Sequence, residues 1–470
     1  MKLADAHVLV LGLGESGLAM ARWCARMGAR VRVADTRAAP PYLDALLDLV
    51  PEAEFVAGEF GESLLHGIDM LALSPGLPAG QMVVLQARLN GIAVVGEIEL
   101  FAEALRTLHS VADMPRVIAI TGTNGKTTTT ALTGHLCRSA GYDTEVAGNI
   151  SPAALAALLD RIERDALPRI WVLELSSFQL ETLKSLNADA ATVLNISDDH
   201  LDRYISLEEY AEAKARIFGS GEDCVQHSGT QVLNRDDRRV RRMAIGGREL
   251  FTFGLDVPAH EHDFGLIHKD GEYWLAQGDH VLIPTARLPI RGLHNAANAL
   301  AALALCSALR LPMNKLLTGL MSFKGLPHRV EFVAEIDGVS YYDDSKGTNV
   351  GATLAALEGK LAERVVLIAG GDGKGQDFSP LREAVKQAAR AVVLIGRDAD
   401  RIDAAIAGSS VPVLHAEDLP AAVHIAATLA QRGDAVLLSP ACASLDMFRN
   451  YAHRAEVFVA AVHDLEGERA

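Results

Sequence analysis

Short apolar runs alternate along the chain with longer stretches in which Ala and Leu recur at helical spacing. In the first part the runs at 7–13, 31–35, 54–56, 70–73 and 93–95 predict strands of a parallel sheet covered by helices. A second series begins at 117, with a helix predicted over 127–140, strands at 170–175 and 191–196, and a helix over 295–309. Between 220 and 290 the pattern changes to charges, Gly and short alternating runs at 249–253, 264–268, 272–276 and 280–283, which predicts an antiparallel excursion of hairpins. From about 326 a third series follows. Strands are expected at 331–336 and 339–342, joined through Asp337-Gly338, then at 365–369, 391–395, 411–414 and 435–438.

Length agrees with this punctuation, since 470 residues make roughly three domains at about 150 residues each. The expected fold is α/β with three domains: residues 1–107, Rossmann-like; 108–325, a central P-loop ATPase-type parallel sheet; and 326–470, a second Rossmann-like α/β unit. Apolar residues at 49% and charged residues at 22% are ordinary for a globular protein. The net charge of −16 argues against nucleic acid or an anionic membrane as partner, so any anionic ligand must be held by local Lys, Arg and helix N-termini. No apolar stretch approaches the ~20 residues of a membrane span, and the first apolar run is too short for a secretory signal. The five cysteines are dispersed and form no C-x-x-C, as expected for small buried apolar residues in a reducing cytoplasm.

The strongest chemistry lies at 117–128, VIAITGTNGKTT. An apolar strand runs into a Gly-rich loop, a Lys and hydroxyl residues, and then a helix. Backbone N–H groups of Gly122 to Gly125 can cradle phosphates, Lys126 can neutralise them, and the Thr127 hydroxyl can hold Mg²⁺. The G-x-x-G-K-T spacing is compressed, and a fortuitous turn is disfavoured by the flanking strand and helix. Gly12, Gly14 and Gly17 form a G-x-G-x-x-G turn with Asp35 closing the next strand, a pattern open to a dinucleotide or to any pyrophosphate. Ser74-Pro75-Gly76 is a further phosphate turn or a plain tight loop. Glu174 ends an apolar strand, a place suited to a Walker-B-type metal ligand. Residues 195–202, NISDDHLD, put polar side chains at another strand end. Lys214 lies in EEYAEAKARIF, where a solvent-exposed face is the plain expectation. His260 and His262 lack a second ligand pair nearby, which argues against a metal site. Polar clusters at 343–349, 370–374 and 439–444 end three strands of the third unit and suggest one shared crevice.

Together these motifs resemble the ATP-dependent Mur ligases of bacterial cell-wall synthesis, across all three domains. TGTNGKTT is shared with every Mur ligase and with folylpolyglutamate synthases. LELSSFQLE (173–181), DDHLDRY (198–204), GLPHRVEF (325–332), DSKGTN (344–349) and SPACASLDMFRNY (439–451) are similar to the D-glutamate-adding branch. The resemblance implies cytoplasmic ligation of D-glutamate to UDP-N-acetylmuramoyl-L-alanine, with ATP cleaved to ADP, an acyl-phosphate intermediate, two Mg²⁺ ions and a monomeric enzyme. It implies an ATP site of Gly122, Thr123, Asn124, Gly125, Lys126, Thr127 and Thr128, with Asn295 and Asn298 at adenine, Arg329 at the γ-phosphate and Asp344 at the ribose. Thr127, Glu174, His200 and a carbamylated Lys214 would be metal ligands, and Asn149 would lie beside substrate and γ-phosphate. Glu15, Ser16, Gly17, Asp35, Thr36 and Arg37, with Ser74 and Gly76, would line the uracil and diphosphate site. Lys346, Thr348 and Lys374 would meet one D-glutamate carboxylate. Ser444 and Leu445, expected at a helix N-terminus, would meet the other with Tyr451.

The rival of a different class is an NAD-dependent oxidoreductase built on Gly12, Gly14, Gly17 and Asp35, which leaves the phosphate loop and third unit unexplained. An ATP-switched binding module would give Glu174, His200 and Lys214 no task. Within the family, another amino-acid-adding ligase is the alternative, and a two-domain folate ligase would lack the first unit.

Overall fold

A computed structural model describes residues 2–199, 203–219, 229–359 and 361–469. Its strands form three sheets. The first comprises β1 (His7–Leu11), β2 (Arg30–Asp35), β3 (Glu54–Ala57), β4 (Met70–Leu73) and β5 (Ala93–Gly96), all parallel in the order β3-β2-β1-β4-β5. The order reverses beside β1, so the Gly12–Gly17 turn opens into the crevice where doubly wound sheets bind ligands.

The second sheet comprises β6 (Arg116–Thr121), β7 (Thr144–Gly148), β8 (Ile170–Glu174), β9 (Ala190–Val193), β10 (Thr230–Asn234), β11 (Leu250–Phe253), β12 (Asp263–Lys269), β13 (Glu272–Gln277) and β14 (His280–Pro284). It runs β14-β13-β12-β11-β10-β9-β6-β8-β7. This corrects the expected antiparallel excursion. β10, β11 and β12 continue the central sheet in parallel, because helix Arg238–Arg241 and residues 254–262 return the chain to the same end before each new strand. Only β12-β13-β14 is antiparallel. At the first of these turns Asp270 and Gly271 both have positive φ, at 54° and 83°, as a two-residue hairpin of matching twist requires. β7 is an edge strand that the sequence pattern did not reveal, its Thr-Glu-Val-Ala-Gly being too short and polar to stand out.

The third sheet is β15 (Glu331–Ile336), β16 (Val339–Asp343), β17 (Val365–Gly370), β18 (Ala389–Ile395), β19 (Val413–His415) and β20 (Ala435–Leu438), in the order β15-β16-β20-β17-β18-β19. β15 is its antiparallel edge, turning through Asp337-Gly338 as expected.

Period-2 alternation explains the layering. In β6, Val117 and Ala119 enter one core while Ile118 and Ile120 enter the other, and in β17 Val366 and Ile368 part from Val365 and Leu367 in the same way. One core runs continuously from the first sheet into the second, where Phe101 meets Trp171 edge-on at 5.0 Å. The third sheet's cores contain only its own residues. No helix among the described residues is long and apolar enough to cross a membrane.

Candidate active site

β6, β8 and β9 end side by side, and the phosphate loop leaves β6 at their shared carboxyl end. Gly125 caps helix Lys126–Ser139 at φ +82°, and a Cβ there would lie 2.4 Å from Asn298 Oδ1, so only glycine fits. Asn195, just beyond β9, brackets the loop: its Oδ1 accepts the Asn124 N–H at 2.8 Å and its Nδ2 donates to the Asn124 carbonyl at 3.0 Å. Lys126 Nζ donates to the carbonyls of Gly122 and Thr123 at 2.9 and 2.8 Å. Burial lowers its pKa, with Glu174 and Asp199 opposing that shift.

Glu174 is buried at the end of β8. Its Oε1 accepts Asn149 Nδ2 at 2.7 Å, whereas its Oε2 is buried and accepts no hydrogen bond from the described residues. A buried carboxylate oxygen without a partner is costly unless a cation meets it. With the Thr127 hydroxyl on the same cavity wall, the oxygen donors suit Mg²⁺.

Lys214 overturns the plain expectation of an exposed helix face. On helix Leu207–Ala215 it is 1% exposed, with Nζ 3.4 Å from Thr121 Oγ1 and 4.5 Å from the Tyr210 ring centroid. Burial first, and the Lys126 cation second, push its pKa well below that of a free lysine. His200 lies outside the described residues.

These groups share one cavity of about 820 Å³ with the third unit. Its walls carry Thr123 to Thr128, Asn149, Glu174, Lys214, Asn295 and Asn298 from the central unit, and Arg329, Asp344, Lys346, Thr348, Lys374 and Tyr451 from the third. Lys346 Nζ stands 3.7 Å over the Tyr451 ring, and burial lowers its pKa to about 8. Asp344 is buried, accepts the Ser439 hydroxyl at 2.7 Å and is raised to about 7 by desolvation. Asn298 Nδ2 donates to Asn295 Oδ1 at 3.2 Å, and both residues line the cavity together with His294.

Ser444 and Leu445 are not in that wall, and the expected helix N-terminus is not there. Residues 444–448 form a turn, Leu445 is 72% exposed, and the helix is Tyr451–Arg469, because Asn450 Oδ1 accepts the His453 N–H at 2.9 Å and starts it.

A second cavity of about 380 Å³ lies over the first sheet, lined by Gly12, Gly14, Glu15, Ser16, Asp35, Thr36, Arg37, Ser74 and Gly76. Gly17 is not a lining residue: a Cβ there would meet the Gly12 carbonyl at 2.0 Å, so it serves close packing of helix on turn. Asp35 accepts the Leu13 N–H at 2.8 Å and both Arg37 guanidinium arms at 2.8 Å, and Arg37 holds it well below the usual carboxylate range. It is thus already engaged where a dinucleotide ribose would need it. The Glu15 carboxylate also points elsewhere, to Ser151 and Ala153.

Sequence reading missed Phe60 and Leu77 in the small cavity, and Ser151, Tyr210 and His294 in the large one. Ser151, in Asn149-Ile150-Ser151-Pro152 just after β7, was missed with that strand, since a polar turn is a signal only once the strand it ends has been read. His260 and His262 join no cluster of metal-ligating side chains among the described residues, and His262 instead stacks on Phe251 at 4.4 Å. His328, Glu331 and Asp343 do cluster, but the cluster is tied up internally: His328 Nδ1 bonds Asp343 Oδ2 at 2.7 Å and its N–H donates to Glu331.

Residues 6–96 match the Mur ligase MurD-like N-terminal domain, 120–306 the Mur ligase middle domain and 328–442 the Mur ligase glutamate ligase domain. The chain belongs to the Mur ligase family and is an ATP-dependent ligase. It is 60% identical to UDP-N-acetylmuramoylalanine--D-glutamate ligase of Aromatoleum aromaticum, over 100% of this chain and 99% of that one. The protein of the same name from Nitrosospira multiformis is 55% identical over 100% and 98%. A pseudomurein peptide ligase type C from Methanothermus fervidus, 18% identical, superposes with a TM-score of 0.59 over 98% of this chain and 100% of that one, so the fold is shared. These relatives, like the engaged Asp35, do not favour the oxidoreductase alternative.

Proposed function

We propose that this protein joins the amine of D-glutamate to the carboxylate of UDP-N-acetylmuramoyl-L-alanine, cleaving ATP to ADP and phosphate, as a monomer in the cytoplasm. The observation that carries the reading is the shared cavity. It sets a phosphate loop and the buried carboxylate of Glu174, whose Oε2 accepts no hydrogen bond from the described residues, opposite cationic side chains of the third unit.

A free carboxylate is a poor electrophile, so the γ-phosphoryl group moves onto it first, giving an acyl phosphate and ADP. The amine then attacks the acyl carbon and gives up a proton, and the tetrahedral intermediate collapses by breaking the C–O bond to phosphate, which leaves with the electron pair. In this reading Lys126 releases the loop carbonyls to meet β- and γ-phosphate oxygens, and Arg329 meets the γ-phosphate from the other side. Asn149, held by Glu174, lies beside the attacked carboxylate. Asn295 and Asn298 meet adenine and Asp344 the ribose. Lys346, Thr348 and Lys374 hold one carboxylate of D-glutamate, and the Tyr451 ring packs against the amino acid. Ser444 and Leu445 stay assigned to the second carboxylate only if the 444–448 turn moves when substrate binds. The small cavity holds the uracil and diphosphate.

Mg²⁺ held by Thr127 and Glu174, with a second ion toward Lys214 and His200, would neutralise phosphate charge as it shifts onto ADP. Lys214 suits carbamylation: burial shifts its amine toward the neutral form, the form that adds CO₂, and with loss of a proton the product is an anionic oxygen donor near Lys126.

Phosphate release from ATP and Mg²⁺ with UDP-N-acetylmuramoyl-L-alanine tests the reading across D-glutamate, L-glutamate, L-alanine and a diamino acid. Stimulation by D-glutamate alone supports it. Stimulation by another amino acid keeps the chemistry and changes the acceptor.

A further inference from the structure

The two cavities meet at one hydrogen bond. Glu15 lines the small cavity and Ser151 lines the large one, and Ser151 Oγ donates to Glu15 Oε1 at 2.8 Å. The same oxygen accepts the Ala153 N–H, also at 2.8 Å. An acid at the mouth of a diphosphate pocket would repel its ligand if its charge were free. Here the charge is turned onto the opening turn of helix Ala154–Glu163, whose leading N–H groups have no partners within the helix. Glu97, from the first unit's helix Glu97–Leu108, continues the cap, its Oε1 accepting the Leu155 N–H at 2.6 Å.

The other end of this short segment is fixed at the phosphoryl-transfer site. The Gly148 N–H donates to the Pro152 carbonyl at 2.9 Å and closes the turn. The Asn149 N–H donates to the Glu174 carbonyl at 2.8 Å, and Asn149 Nδ2 donates to Glu174 Oε1 at 2.7 Å. A single turn is thus pinned by the Glu15 carboxylate at one end and by Glu174 at the other.

We propose that Glu15 is a positioning residue: it ties the nucleotide-sugar pocket to Asn149 through the 149–153 turn, so that the nucleotide-linked carboxylate and the Asn149–Glu174 pair keep one fixed offset. The inference rests on the assignment of the two cavities under Proposed function. Glu15 touches neither the reacting carboxylate nor ATP; it sets where Asn149 stands relative to a substrate anchored in the first unit. Small errors in such an offset are expensive in rate.

The test is steady-state kinetics of wild type, Glu15→Ala, Glu15→Gln, Ser151→Ala and the Glu15→Ala/Ser151→Ala pair, with thermal midpoints measured alongside. Glu15→Ala should lower kcat about tenfold and raise KM for the nucleotide-linked substrate, leaving KM for ATP and for D-glutamate within about twofold. Glu15→Gln keeps an accepting oxygen and should recover most of kcat. Ser151→Ala should lower kcat in the same direction, and the double variant should lose no more than the worse single variant. Unchanged kcat in Glu15→Ala despite a lowered midpoint, or additive losses in the pair, overturns the inference. If Glu15→Ala does not fold, normal kcat in Ser151→Ala overturns it. A wild type without turnover on this substrate overturns the underlying assignment and this inference with it, which separates the two failures.

Discussion

Asn349 Nδ2, from the third unit, donates to Asn124 Oδ1 of the phosphate loop at 3.0 Å. The Asn349 Oδ1 meanwhile caps helix Val350–Glu358 by accepting the Ala352 N–H at 2.9 Å. One amide thus fixes the segment carrying Lys346 and Thr348 and docks it on the loop that would hold ATP.

The two roles separate in Asn349→Ser. Serine still caps the helix but cannot reach Asn124. Losing one neutral hydrogen bond of about 1 kcal/mol should lower kcat/KM for D-glutamate roughly fivefold while the thermal midpoint stays close to wild type. Unaltered kinetics would show that the contact adds nothing to domain docking.

Lys214 gives a prediction that depends on dissolved gas. If the buried amine carries CO₂, activity in CO₂-depleted buffer should fall and return on adding bicarbonate, and Lys214→Met should lose at least about 100-fold in kcat. Full activity without CO₂ would leave Lys214 as an ordinary buried amine.

Lys346 sets a pH limit on acceptor binding. Its pKa, lowered by burial to about 8, means that its charge is lost as pH rises through that value. KM for D-glutamate should therefore climb above about pH 8, and Lys346→Arg, which stays charged, should flatten the climb even if it raises KM throughout. A flat wild-type profile would remove Lys346 from carboxylate binding.

Glu97 makes stability fall with pH. Burial raises its carboxyl from 4.5 to about 7, with the Leu155 and Ala154 N–H groups opposing and the Glu15 charge adding to the rise. The folded state therefore holds the proton more tightly, and the stability this gives below the unfolded pKa is lost between 4.5 and about 7. At order of magnitude the cost is about 3 kcal/mol, from 1.36 kcal/mol per pKa unit. Glu97→Gln should gain denaturant resistance relative to wild type between about pH 5 and pH 8. A constant difference across that range would contradict a raised Glu97.

What could be read from the sequence was what lies close together in it. The phosphate loop, the period-2 strands and the Asp337-Gly338 turn are contiguous signals, and the structure has them. Strand direction in β11 and β12 was hidden because alternation is the same in parallel and antiparallel strands, and the intervening connections decide it; β10 was not read as a strand at all. The start of the last helix was misread because Ser444 has the look of a cap, while Asn450 supplies the hydrogen bond. The partners of Glu15 and Asn349 lie 136 and 225 residues away, and no local pattern carries such pairs. Burial of Lys214 was likewise invisible on its helix, whose neighbours Glu208, Glu209 and Glu212 read as a wet face.

The most direct test of the central claim is the mass of the product formed from UDP-N-acetylmuramoyl-L-alanine, ATP and Mg²⁺ with D- and L-glutamate offered together, one of them isotopically labelled. A nucleotide-linked product should gain one glutamyl residue from the D isomer alone, with one ADP and one phosphate formed per bond. Incorporation of the L isomer, or ATP cleavage without a new amide, would contradict it.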